Sequence, residues 1–473
     1  MSYDIIVIGA GQAGIQAAQR SAKHGFKTVL IESDLVGGEC HYWGCVPSKA
    51  LLRSGHVYRA ALAVKGAAET ITRPISTDKV FAKRNVLTDW WDDTGIVKKL
   101  TAAGGFEIFK ANAEIVGIKS VRLTDKDGKR QDIKAKEAVI LATGTLAAIP
   151  KIKGIESIKY WDNKGATSSQ HVPDSLLIIG GGPIGCEMAT TWATFGGKVI
   201  LAVRGRLLEQ MEPFAGDMVK EALEELGVEV RLGITPVSTG MKGDDVYVEF
   251  SDGTTISASE VLFATGKTPI TDVGLESVGL KPEGFLKVDD TLLITHETNK
   301  DEPWLYAVGD VNGRNMVQHQ GRYQARVASD AILARSKQLP LSTKPFVPYI
   351  AIADHSLVPQ VVFTDPEVAF IGLTEAAALK KGYKVKAVEF DMAKLSGAVL
   401  RQDGYKGHAK MVVDVDKEVI VGMTIVGPEV ADLIHSATIA IVAEVPLGKL
   451  WHAVASFPTV SEVWLRLLEA YGL

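Results

Sequence analysis

Cys40 and Cys45, in the stretch GGECHYWGCVPSK, are two of only three cysteines in a chain of 473 residues. In a reducing compartment a pair this close either ligates a metal or reacts as thiolates in catalysis; two inert buried thiols are the plainer alternative. A zinc site needs four ligands, and Cys186 alone supplies no second pair, so no metal centre is expected. The run VPSKALLRSGHVYRAALA that begins after Cys45 reads as a helix with Pro47 in its first turn. The partial positive charge at its start would favour a thiolate there.

The elements around these thiols include a repeated unit. DIIVIGAGQAGIQAA, from Asp4, and SLLIIGGGPIGCEMA, from Ser175, both read as strand, glycine turn and helix. Gly9, Gly11 and Gly14 in the first copy and Gly180, Gly182 and Gly185 in the second share the GxGxxG spacing. Such glycines allow a tight turn, close approach of the backbone to a pyrophosphate, and close packing of helix on strand. A lone motif of this kind can be only a tight turn, but both copies have further context. About 20 residues beyond the first glycine, the strand KTVLIES ends in Glu32, whose carboxylate can accept ribose hydroxyls and suits an adenosine without a 2′-phosphate. In the second copy Val203 stands at that place, followed by Arg204 and Arg206, and a guanidinium fork suits a 2′-phosphate. Two dinucleotide sites in one chain suggest a flavin fed by a nicotinamide. VILATGT, with Thr143 and Gly144, and VLFATGKTP, with Gly266, read as apolar strands ending in Thr-Gly turns. LYAVGDV puts Asp310 at a strand end, where it could hold a ribitol hydroxyl.

The length calls for several domains, and a net charge of −4 with 23% charged residues leaves no basic excess for nucleic acid or an anionic membrane. No leader pattern and no apolar run of membrane-spanning length is visible, so a cytoplasmic protein without nucleic acid or membrane partners is expected. Near the C-terminus KAVEFD and KMVVDVD alternate as strands, and DLIHSATIAIVAEV reads as an apolar helix.

Over essentially its whole length the sequence resembles the flavoprotein disulfide reductases, the family of glutathione reductase, dihydrolipoamide dehydrogenase and mercuric reductase. The resemblance rests on GxGxxG with Glu32, on CHYWGCVPSK, GGGPIGCE, ATGKTP and AVGD, and on VVFTDPEVAFIGLTE. It implies an α/β fold with two Rossmann-like dinucleotide-binding domains and an α+β C-terminal dimerisation domain. The FAD domain would be split over 1–149 and 271–343, the NADPH domain would occupy 150–270, and the dimerisation domain 344–473. The same resemblance implies a homodimer in which Cys40 and Cys45 form a redox-active disulfide, with Cys40 exchanging with a small-molecule electron acceptor and Cys45 facing the isoalloxazine. The spacing permits such a small disulfide loop. Lys49 would pair with Glu187 near the flavin N5.

Departures from the family pattern bear on the acceptor. Glu39 stands where a threonine is usual and adds negative charge near Cys40, and His41, Tyr42 and Trp43 are bulkier than usual. In ASFPTVSEVW, Phe457 occupies the place of a histidine that in the family protonates the departing thiol of the partner subunit's site; Pro458, Thr459 and the orienting Glu462 are kept. Such an acid contributes ~10²- to 10⁴-fold. The expectation is an FAD-dependent, NADPH-preferring oxidoreductase acting through Cys40 and Cys45 on a disulfide or other thiol-reactive acceptor. Its substrate has an acidic leaving thiol, or His41 or His452 replaces the missing acid. A flavin-level reductase of quinone or diaphorase type is the alternative. Mercuric reductase fits less well, since no cysteine follows Cys186. Phenylalanine at 457 also resembles 2-ketopropyl-coenzyme M oxidoreductase/carboxylase, but there the glutamate is a histidine too, unlike Glu462.

Overall fold

The structure, a computed structural model, describes every residue except Pro282 and Thr343, so the expected boundary at 343 lies outside the described residues. Two compact units are present. The first comprises Met1–Pro47, Asn85–Ala147 and Lys267–His355. Its sheet runs Glu107–Lys110, Thr28–Glu32, Ser2–Ile8, Arg130–Leu141, with Leu305–Ala307 parallel to the last of these. The apolar runs IIVI and AVIL are almost fully buried, as strands covered on both faces require. Further along, Arg130–Leu141 pairs antiparallel with the hairpin strand Ser120–Thr124. The helix Gln12–Lys23 packs on Gln318–Ser336 and is tied to it by the bidentate pair of Arg20 and Asp330, at 2.8 and 2.9 Å.

The second unit comprises Ser48–Arg84, Ala148–Gly266 and Ser356–Leu473. The order Glu229–Leu232, Lys198–Val203, Ser175–Ile179, Glu260–Phe263 makes a four-stranded parallel sheet, repeating the strand–turn–helix logic of the first unit. An antiparallel three-stranded sheet from Pro236–Lys242 to Thr255–Ala258 had no counterpart in the sequence reading. Toward the C-terminus a five-stranded antiparallel sheet contains both expected strands, as Val385–Asp391 and His408–Asp414, and carries the helix Ile434–Val442 on it.

The segment 1–149 is divided between the units. Leu51, Val80 and Phe81 bury against Trp192, Met188, Val362 and Val426, and this apolar contact takes Ser48–Arg84 into the second unit. Arg84 is fully buried there, donating to the carbonyls of Thr167 and Ser169 at 2.5 and 3.0 Å; burial pulls its guanidinium down to about 10.

Candidate active site

Both glycine turns are tight against a neighbouring carbonyl. Gly9 has φ of +98° and Gly180 of +124°, and a Cβ on either would lie 2.4 or 2.3 Å from the carbonyl oxygen of Ala142 or Ala264 respectively. A Cβ on Gly11 or Gly182, in contrast, would meet nothing within 4 Å, and neither following helix has a side-chain cap on its first N–H groups. An uncapped N-terminus beside open space is suited to an anion. Gly14 and Gly185 pack so closely on the turn that a Cβ would sit 1.8 or 1.9 Å from the carbonyl oxygen of Gly9 or Gly180.

At the end of its strand Glu32 accepts the N–H of Ala10 at 2.6 Å through Oε2 and that of Asp34 at 2.8 Å through Oε1. These bonds fix the carboxylate and leave each oxygen an acceptor position for a ribose. The two arginines of the second copy part company. Arg206 turns back onto its own loop, donating from Nη2 to the carbonyls of Glu209 and Met211 at 2.8 and 2.9 Å, while Arg204 is exposed. Thr143 donates to the carbonyl of Ile270 at 2.6 Å, and Gly144, at φ +74°, accepts the N–H of Ile270 at 3.0 Å. Gly266, at φ +137°, accepts from Ala148 at 2.9 Å.

Cys45 is the first residue of the 18-residue helix Cys45–Leu62, and Cys40 lies in the short helix Gly38–Tyr42; both cysteines are half-buried. Sequence reasoning missed a cation beside them. Lys267, in the ATGKTP turn, donates to Oδ2 of Asp310 at 2.6 Å, and the same oxygen accepts from Thr145 at 3.2 Å. Burial pulls the Lys267 ammonium down, but Asp310, Glu39 and Cys45 outweigh it and hold the group above its ordinary value. The signal was present as the lysine after an already noted Thr-Gly turn.

In the second unit Lys49 meets Glu187 at 2.7 Å, and the other oxygen of Glu187 accepts the N–H of Phe363 at 2.9 Å. The Lys49 ammonium also lies 4.9 Å from the centre of the Phe363 ring, so one ammonium is held by a carboxylate and an aromatic face. The third thiol, Cys186, is fully buried and burial pushes it well above the ordinary range, which makes it inert. Phe457 is 73% exposed. Glu462 is buried, with Oε1 accepting from Arg466 at 2.5 Å and Oε2 without a hydrogen-bond partner. Of the two candidate substitute acids, His452 is exposed and has no ion-pair partner among the described residues, whereas Nε2 of His41 lies 3.0 Å from Oδ2 of Asp89.

Known proteins resemble this chain over most of its length. The family profile described as pyridine nucleotide-disulphide oxidoreductase matches residues 3–331, and its dimerisation domain matches 358–467. Dihydrolipoyl dehydrogenase of Geobacillus stearothermophilus is 32% identical over 480 residues, covering 98% of this chain and 95% of that protein. The same enzyme of Chlorobaculum tepidum is 31% identical over 468 residues, covering 97% and 95%. Among solved structures, LpdA of Mycobacterium tuberculosis superposes with a TM-score of 0.84 at 21% identity, covering 99% of this chain and all of that one. The HOCl-induced flavoprotein disulfide reductase RclA of Escherichia coli, in its Cu(II) complex, gives 0.83 at 23%, with 99% of each chain covered. Among the described residues no helix is long and apolar enough to cross a membrane.

Proposed function

The chain belongs to the pyridine nucleotide-disulphide oxidoreductase family, whose members use FAD and NAD(P)H, and from that premise we propose that it passes electrons from NADPH through Cys40 and Cys45 to a small-molecule disulfide or other thiol-reactive acceptor. Bound FAD supplies the two-electron step between nicotinamide and sulfur. The residues that would hold it are Gly9, Gly11, Gly14 and Glu32 for its adenosine half, and Thr143, Gly144, Lys49 and Asp310 for the flavin half. Gly180, Gly182, Gly185 and Gly266 would hold NADPH, with Arg204 reading the 2′-phosphate. Arg206 stiffens that loop from behind through its carbonyl bonds. The enzyme works as a homodimer in the cytoplasm, in keeping with its dimerisation domain and with the thiols that its chemistry requires.

The observation that carries the reading is Cys45 at the start of a long helix with the Lys267 ammonium in its field. Both effects favour thiolate over thiol. Lys49, gripped by Glu187, would be the charge that responds to flavin reduction. At position 457, where the family pattern has its acid, the chain carries a hydrocarbon ring, so a proton needed by the acceptor must come from another group. A flavin-level acceptor is the second reading, favoured by the same Phe457.

Anaerobic reduction with NADPH tests the reading. The two-electron-reduced protein should show a long-wavelength thiolate-to-flavin charge-transfer band that Cys45→Ser abolishes. Bleaching of the flavin without that band in wild type would rule out the cysteine route. Alkylation of the reduced enzyme then separates the two acceptors, because only the cysteine route is lost.

A further inference from the structure

His41 follows Cys40 directly in the helix Gly38–Tyr42, and Asp89 reaches it from a distant part of the chain, within the same compact unit. The backbone that presents Asp89 is unusual. Asp89, Trp90 and Trp91 are three consecutive non-glycine residues in the left-handed region, with φ of 49, 52 and 56°. Such conformations are strained for residues with a Cβ and persist only where the surroundings over-determine them. Here the turn is pinned to the cysteine segment on both sides. The indole N–H of Trp91 donates to the carbonyl of Tyr42 at 3.1 Å, and Asp93 accepts the N–H of Val36 at 2.7 Å while pairing with Lys110 at 2.6 Å. Tyr42, completely buried, packs its ring edge-on to His41 at 4.6 Å.

We propose that His41, oriented by Asp89, is the general acid of this enzyme, supplied by the same chain and replacing the acid absent at position 457. The inference rests on the cysteine route proposed above. Asp89 holds Nε2, and Nδ1 makes no hydrogen bond among the described residues, so it is the nitrogen that carries the transferable proton. The His41 side chain is 20% exposed, enough for a substrate sulfur to approach it. Asp89 is the charged group paired with the imidazole; Asp92 and Asp93 follow it on the turn, and Lys110 is engaged by Asp93.

The step is as follows. The Cys40 thiolate attacks one sulfur of the substrate disulfide; the Cys40–substrate S–S bond forms and the substrate S–S bond breaks. The expelled thiolate takes the Nδ1 proton of His41 and leaves as thiol. Cys45 thiolate then attacks the Cys40 sulfur, restoring the intramolecular disulfide and expelling the second substrate thiolate, which takes a proton returned to His41 from solvent. The two electrons come from the reduced nicotinamide. His41 is therefore a catalytic residue and Asp89 a positioning residue.

The test compares wild type, His41→Gln and Asp89→Asn as FAD-loaded full-length enzyme, with an aliphatic disulfide and an aromatic disulfide whose thiols are acidic. In His41→Gln, kcat/KM for the aliphatic disulfide should fall ~10²-fold or more, and that for the aromatic one by less than about 3-fold. The NADPH-induced charge-transfer band should be unchanged. In Asp89→Asn the aliphatic kcat should fall ~10-fold while its KM and the aromatic kcat/KM stay within about 2-fold, as loss of orientation of the acid requires. Alkylation of Cys40 supplies a readout independent of turnover: its rate profile should move to higher pH in His41→Gln. A His41→Gln enzyme that keeps its band and its aliphatic turnover across the whole pH range overturns the inference and leaves the cysteine route standing. Absence of the band in wild type overturns both. If His41→Gln does not retain FAD, the kcat loss in Asp89→Asn decides: an unchanged aliphatic kcat overturns the inference.

Discussion

Phe457 has no proton to give, and Glu462, five positions on, keeps a buried Oε2 without a hydrogen-bond partner among the described residues. An unpartnered buried carboxylate oxygen is costly. In wild type, where His41 already delivers the proton, Phe457→His should raise kcat/KM for an aliphatic disulfide less than ~5-fold. In the His41→Gln background the same substitution should recover at least ~10-fold of the ~10²-fold loss, measured by NADPH oxidation at fixed pH. Equal gains in both backgrounds would show that the two residues do not share one role. Of these residues, the sequence exposed His41 and Phe457 but not Asp89, which lies far along the chain and meets His41 only through a turn of left-handed residues that no propensity favours.

The strand–glycine–helix element was legible twice because close packing leaves room for nothing but glycine at its tightest points, so chemistry is written into residue type. The loop after the second copy's strand was legible only in part. Arg204 and Arg206 look equivalent as letters, and the backbone path of 205–211 makes one a free fork and the other a staple on two carbonyls. Arg204→Ala should therefore raise KM for NADPH by ~10-fold and leave KM for NADH within about 2-fold. Arg206→Ala should weaken both nucleotides alike and lower the thermal midpoint, because two loop carbonyls lose their donor. Stopped-flow flavin reduction with each nucleotide distinguishes them; a selective loss of NADPH in Arg206→Ala would reverse the assignment.

At the scale of the whole molecule, stability depends on charges that the fold takes out of water. Glu367, in the five-stranded sheet, is buried; burial raises its carboxyl, and the N–H bond from Ala431 at 2.9 Å only partly offsets this. Its folded value lies above its unfolded one, so its contribution is fully present in acid, below the unfolded value, and is lost as pH rises through the folded value. Glutamine at this position keeps an oxygen for Ala431 and has no charge to bury. Glu367→Gln should accordingly raise the thermal midpoint by roughly 1–2 °C at pH 8, and the difference should vanish near pH 4, as scanning calorimetry can measure. A larger gain at pH 4 than at pH 8 would contradict the sign.

What is local and chemically specific was legible in the residues alone: the two glycine turns, the cysteine pair at a helix start, the Lys49 and Glu187 positions, and the departure at 457. These survive as pattern because each depends on residue type at short spacing. Tertiary structure alone decided which distant groups meet. It drew Ser48–Arg84 into the second unit through Leu51 and Phe81, set Lys267 in the field of Cys45, bound Arg206 to the carbonyls of its own loop and brought Asp89 to His41. None of these pairings has a period or a spacing. They follow from how buried apolar surfaces and backbone turns close over long separations, and only the folded chain fixes that.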